Sequence, residues 1–180
     1  MKNKGFTLVE LLVSIGLVLI IGTVGTSMIA SILRSYNKAH IINEIEQNGN
    51  YVLSLMESQI RNAASATLTG TCNGAGNRCL SLEVTPQEGS LFTYSIGDDG
   101  NGTGMGAVMK DGAVLTNNHS VSGVNVLHSG DPGTTSHFYA DGLTVQIVLK
   151  IQQATGAPGR VDYQAETTLQ TTVVVRGGYE

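Results

Sequence analysis

MKNKGFTLVELLVSIGLVLIIGTVG, residues 1–25, decides how the rest of the chain is read. Lys2 and Lys4 precede Gly5, and Phe6 opens an apolar run with one acid in it, Glu10. The next charge is Arg34. Leu11 to Leu33 is 23 residues. As a helix that is about 35 Å, enough for a bilayer core of roughly 30 Å. The N-terminus therefore holds one membrane-competent helix.

Glu10 is the oddity. A carboxylate in a spanning helix costs of order a few kcal/mol near the bilayer centre and less toward its edge. The helix dipole offsets only about 0.3–1 kcal/mol of that. Cutting the chain after Gly5 would give Phe6 a new α-amino group four residues from Glu10. The carboxylate would then pair with that amine, on its own chain or on a neighbour, and insertion would be tied to assembly. Two plainer readings compete. A secretory signal peptide puts a small-residue cleavage site after the apolar run, where Ala30 and Ser31 stand, but Glu10 and the length of the run fit it poorly. A signal anchor needs only the apolar run and has no use for Glu10.

KGFTLVELLVSIGLVLI, residues 4–20, resembles the N-terminus of type IV pilin-like proteins, which include pilins and type II secretion pseudopilins. Gly5 stands at the cleavage position, Phe6 at the first mature position and Glu10 at the fifth. The resemblance implies cleavage between Gly5 and Phe6 by a prepilin peptidase, N-methylation of Phe6, and helices bundled into a filament core with Glu10 compensating a neighbour's N-terminus. It implies as partners other pilins or pseudopilins, an inner-membrane assembly platform with its ATPase, and membrane lipid before assembly. The location implied is a single-pass inner-membrane protein with an exported C-terminal domain, bound for a pilus or pseudopilus at the cell envelope. The likeness covers about the first thirty residues. It departs in one respect: many major pilins carry a helix-kinking proline some twenty residues into the mature chain, and here none precedes Pro86.

Composition suits an exported protein. The chain of 180 residues has room for a long helix and one domain of about 110 residues. Only 13% of residues are charged and 23 are glycine, a turn-rich composition rather than that of a charged helical protein. Without Lys2 and Lys4, 8 basic side chains face 14 acidic ones, which argues against nucleic acid as a partner.

The helix should continue past the membrane. Met28, Ile32, Tyr36, Ala39, Ile42, Ile45, Val52, Met56, Ile60 and Ala63 recur at helical spacing, with one gap at Gly49. Gly49-Asn50 interrupts the stripe as a candidate bend, and Glu57 and Arg61 are spaced to pair. The polar positions between these apolar ones exclude a second span, so the stripe must pack on the rest of the chain. The expected division is a leader at 1–5, a transmembrane or filament-core helix at 6–30, an amphipathic half at 31–66 and a β-rich domain at 67–180. The fold class is α+β, a long N-terminal helix packed on an antiparallel sheet.

Cys72 and Cys79 flank six residues of turn composition. Outside the cytosol a disulfide between them is expected, two reduced structural cysteines being the alternative. A β-meander follows. Leu80–Val84, Phe92–Ile96, Leu143–Ile151 and Thr168–Arg176 alternate apolar and polar residues, and Ala107–Met109 with Ala113–Leu115 reads as a hairpin about Lys110-Asp111-Gly112. Val121–Leu127 is a weaker strand. Glycine-rich loops are expected at Gly97–Gly106, Ser129–Ser136 and Thr155–Gly159.

Within the family, residues 43–63, 92–104, 110–118 and 167–177 resemble minor pilins and J-type minor pseudopilins in the order and flavour of their segments. A major pilin, a tip adhesin and a DNA-uptake subunit remain alternatives. Catalytic motifs are missing: there is no GxSxG elbow, HExxH, P-loop or Rossmann fingerprint, so no enzyme and no cofactor are expected. Asp98, Asp99 and Asn101 offer oxygen ligands to calcium but lack the downstream bidentate glutamate, and the same run reads as a solvated turn. His119, His128 and His137 are evenly spaced in sequence, which has no geometric meaning across loops.

Overall fold

The computed structural model describes residues 5–73, 78–102, 104–128, 135–154, 156 and 165–177. One helix, α1 (Leu8–Arg61), runs for 54 residues, about 81 Å at 1.5 Å per residue. Nine strands follow among the described residues: β1 (Ala63–Asn73), β2 (Arg78–Pro86), β3 (Phe92–Asp98), β4 (Gly106–Lys110), β5 (Ala113–Val114), β6 (Val124–Val126), β7 (His137–Asp141), β8 (Thr144–Gln153) and β9 (Glu166–Val174). The α+β class stands: one helix laid on an antiparallel, curled sheet.

The sheet is a meander only as far as β5. β1 to β5 pair in sequence order, but β2 also pairs β7 at Arg78 and Cys79, and β8 pairs β7, β6 and β9. β7 thus joins the two arms. β4 and β6 meet where the Gly106 N–H donates to the Asn125 side-chain oxygen at 2.7 Å. The hairpin between β4 and β5 turns on Asp111 and Gly112, with φ of 49° and 81°. Positive φ at both central residues is the Asp-Gly turn whose twist suits a two-residue hairpin.

The helix ends earlier than its sequence suggests. It closes at Arg61 rather than near Ala66, with Asn62 as C-cap. The Asn62 amide donates to the Ser58 carbonyl at 3.0 Å. Ala63 and its successors instead enter β1, pairing with β2 along a hairpin whose tip holds Cys72 opposite Cys79. Long-range pairing overrides the helical preference of the alanines here. A further five-residue strand, β7, lies just beyond the expected Ser129–Ser136 loop. Only Val124–Val126 of the Val121–Leu127 segment is extended. Residues 155 and 157–159 of the last expected loop lie outside the described residues.

The packed part of the helix is also shorter. Ile41, Ile45, Gly49, Val52, Leu53, Met56 and Ile60 are buried. Met28, Ile32 and Tyr36 are 56–66% exposed and lie outside the core cluster. The stripe begins to pack only where the domain begins. There it joins Leu82, Val84, Tyr94, Ile96, Val108, Phe138, Val145, Ile147, Leu149, Ile151 and Val173 in one core. Each such side chain contributes about 1.5–3 kcal/mol. Gly49 does not break the helix. It lies buried against Leu169 and Ile151, where a Cβ would overlap Leu169 Cδ1 and stand 2.8 Å from Ile151 Cδ1. The gap in the stripe is a point of close approach between sheet and helix.

Candidate functional site

The N-terminus of α1 is built by residues 5–10. Thr7 is the N-cap, in extended conformation, and its hydroxyl accepts from the Glu10 N–H at 3.2 Å. Thr7-Leu8-Val9-Glu10 is therefore a Thr-x-x-Glu capping sequence. The first helical bond follows, Leu11 N–H to the Thr7 carbonyl at 3.1 Å. Glu10 sits in the first turn, where the helix dipole favours an anion. It has no ion pair among the described residues. Phe6 next to it is 69% exposed. Gly5, Phe6 and Glu10 thus stand together at one open helix end.

Beyond Glu10 the helix is an apolar rod with no cover. Leu8–Arg61 contains a segment long and apolar enough to cross a membrane, and none of that segment is buried. Its hydroxyls do not spoil this. Ser14, Thr23, Thr26 and Ser27 donate to the carbonyls of Glu10, Ile20, Gly22 and Val24 at 2.7–2.9 Å. Each of these four hydroxyls is satisfied inside its own helix, which suits entry into lipid.

The disulfide is formed. Cys72 and Cys79 are bonded, with Cα atoms 4.1 Å apart at facing positions of β1 and β2. It pins the tip of the hairpin that displaced the end of the helix.

The Asp98–Gly102 run behaves as a turn. Asp98 Oδ1 accepts from the Gly100 N–H at 2.8 Å, and Asp99 Oδ1 from the Asn101 N–H at 2.9 Å. Asp99 is buried, and its Oδ2 accepts from the Asn101 and Asn118 amides at 3.4 and 3.3 Å. The carboxylate ties two loops together with amide donors. The described residues hold no group of three or more His, Cys, Asp or Glu side chains placed to bind a metal. His119 accepts from its own loop at Val121 and Ser122, while His128 and His137 bond the carbonyls of Val126 and Thr135.

A polar clasp between helix and sheet escaped the sequence reading. Gln59 Oε1 accepts from the Tyr94 hydroxyl and from Lys110 Nζ, both at 2.7 Å. Lys110 also lies 3.9 Å over the Phe92 ring. Burial, and secondarily the Asp111 carboxylate, push the Tyr94 hydroxyl up to about 12. These groups come from three elements 51 residues apart at the extremes, so no local pattern announces them.

The family model of the prokaryotic N-terminal methylation motif matches residues 1–26, the stretch that holds Gly5, Phe6 and Glu10. No curated protein and no solved structure matches the chain. That motif at its start, with a long helix laid on an antiparallel sheet behind it, supports the type IV pilin-like family for this chain.

Proposed function

We propose that the chain is a structural subunit of a type IV pilus or of a type II secretion pseudopilus. One observation carries this: the methylation motif lies on the uncovered apolar half of α1, whose single acid occupies the first turn. Residues 6–30 hold the precursor in the inner membrane, with the C-terminal domain exported. A prepilin peptidase cuts between Gly5 and Phe6, and the new Phe6 amine is methylated. An assembly platform and its ATPase then move the helix from lipid into a bundle of other pilin-like helices, where Glu10 pairs with a Phe6 amine. Residues 31–35 lie between that bundle and the domain.

Glu10→Ala tests the pairing. The variant should reach the membrane normally and fail to enter filaments. Normal incorporation would refute the pairing, and a recovered chain that still begins at Met1 would refute the filament reading itself. The missing proline before Pro86 and the likeness to minor pilins support a minor place. The ratio of this chain to the most abundant subunit in sheared filaments measures that.

A further inference from the structure

Between the membrane segment and the domain, α1 carries charges of opposite sign at different heights. Arg34 and Lys38 are exposed, and neither has an ion pair among the described residues. Higher up, His40 and Glu44 stand 3.7 Å apart with 61% and 53% of their side chains exposed. At about 100° per residue, the two pairs project roughly 120° apart around the helix. One helix cannot bring them together, but two helices can.

Beside Glu44, helix and domain enclose an open cleft of about 470 Å³, lined by Tyr36, His40, Ile41, Glu44, Val121 and Gln153 among others. The Gln153 Oε1 is buried without a hydrogen-bond partner among the described residues. Tyr36 and Val121 are 66% and 50% exposed. The cleft thus offers a carboxylate and apolar walls. A long cationic side chain has matching needs: an apolar stem to cover and a head rich in donors.

We propose that this cleft receives the Arg34–Lys38 segment of a second copy of the chain. The second helix runs parallel to the first and is displaced toward its C-terminal end. The displacement is about 9 Å with Lys38 opposite Glu44, and about 15 Å with Arg34 there. The direction is set by sequence, because the basic pair precedes the acid. An undisplaced neighbour puts each charge beside its own kind, and an antiparallel one would carry its apolar half out of the membrane. This contact rests on the filament reading above but uses neither Phe6 nor Glu10.

The test is a photo-crosslinking side chain at position 121 of the full chain, in membranes holding two isotopically distinct copies. The expected product joins position 121 of one copy to residues 34–38 of the other. Glu44→Lys should lower its yield by about tenfold or more, since like charges then face each other across the contact. Adding Arg34→Glu and Lys38→Glu to the same chain should restore most of it. Glu44→Gln, which keeps the shape, should lower the yield severalfold at an unchanged melting temperature. A link to another height of the helix, a link only to a different protein, or indifference to Glu44→Lys would overturn the proposal. A mature chain beginning at Phe6 alongside any of those results would leave the filament reading standing.

Discussion

Gly49→Ala separates two physical accounts of the same glycine. By helix propensity alone, alanine should stabilise α1 by about 0.8–1 kcal/mol. The sheet opposes it. A Cβ at Gly49 would overlap Leu169 Cδ1 and lie 2.8 Å from Ile151 Cδ1. Leu169 is half-buried at the sheet margin and can swing away, whereas Ile151 is fully buried and cannot. Overpacking of this kind costs typically 1–3 kcal/mol. The net effect of alanine should be a loss of about 1 kcal/mol, and of valine about 3 kcal/mol, because valine adds bulk and gives back most of the propensity gain. Thermal unfolding of the full chain in detergent should show the alanine variant melting about 2–4 °C lower. Ile151→Val removes the methyl in the way, so it should cost less in the alanine background than alone, with a coupling of about 0.5–1 kcal/mol. A melting temperature raised by alanine, or no coupling with Ile151→Val, would refute the close approach of helix and strand.

Tyr94→Phe should cost about 1–2 kcal/mol, because Gln59 loses a donor in a part-buried clasp. The wild type should also lose stability as pH rises from about 10 to about 12. Over that range the unfolded tyrosine gives up its proton while the buried one, pushed up to about 12, keeps it. The difference in unfolding free energy between wild type and Tyr94→Phe should therefore shrink with pH, measured by denaturant titration at several pH values. Replacing Cys72 and Cys79 by serine should cost about 2.5 kcal/mol for so short a loop. Amide exchange should quicken along β1 and β2 before it does in β8. Calcium added to the folded chain should leave the melting temperature unchanged, since Asp98 and Asp99 already accept from backbone and amide donors; a clear rise would reinstate the loop as a cation site.

What the sequence disclosed was periodic and local. The apolar run, the capping acid, the alternation of β8 and the Asp-Gly turn each occupy one continuous stretch. Their signals survive because one element carries the whole pattern. The misses share the opposite property. Ala63-Ala64 look helical until β2 is placed beside them, and β7 is five residues long with glycine directly after it. Gly49 resembled a helix bend because the residues that need its missing side chain, Ile151 and Leu169, lie about a hundred positions away. The stripe from Met28 to Tyr36 has the spacing of a packed face but stays exposed, and spacing does not say where a partner ends. At the candidate site, Glu10 was legible because a charge in an apolar run stands out, while the Gln59–Tyr94–Lys110 clasp is built from residue types that are ordinary on any surface.

The uncovered half of α1 also shows why one carboxylate can govern assembly on the filament reading. Residues 8–33 are apolar almost throughout and make no contact with the domain core. Moving such a surface from lipid to a bundle of similar helices changes its environment little, because lipid chains are as apolar as leucine. The hydroxyls are equally indifferent, since Ser14, Thr23, Thr26 and Ser27 keep their bonds within the helix. Glu10 is the exception. Its charge is disfavoured near lipid by up to a few kcal/mol and favoured beside an amine. It is the group in the span whose energy differs most between the two environments. Substituting any single leucine there should therefore alter incorporation less than Glu10→Ala does, although each leucine covers more surface. A leucine-to-alanine series matching Glu10→Ala in its effect on incorporation would place the driving force in packing instead.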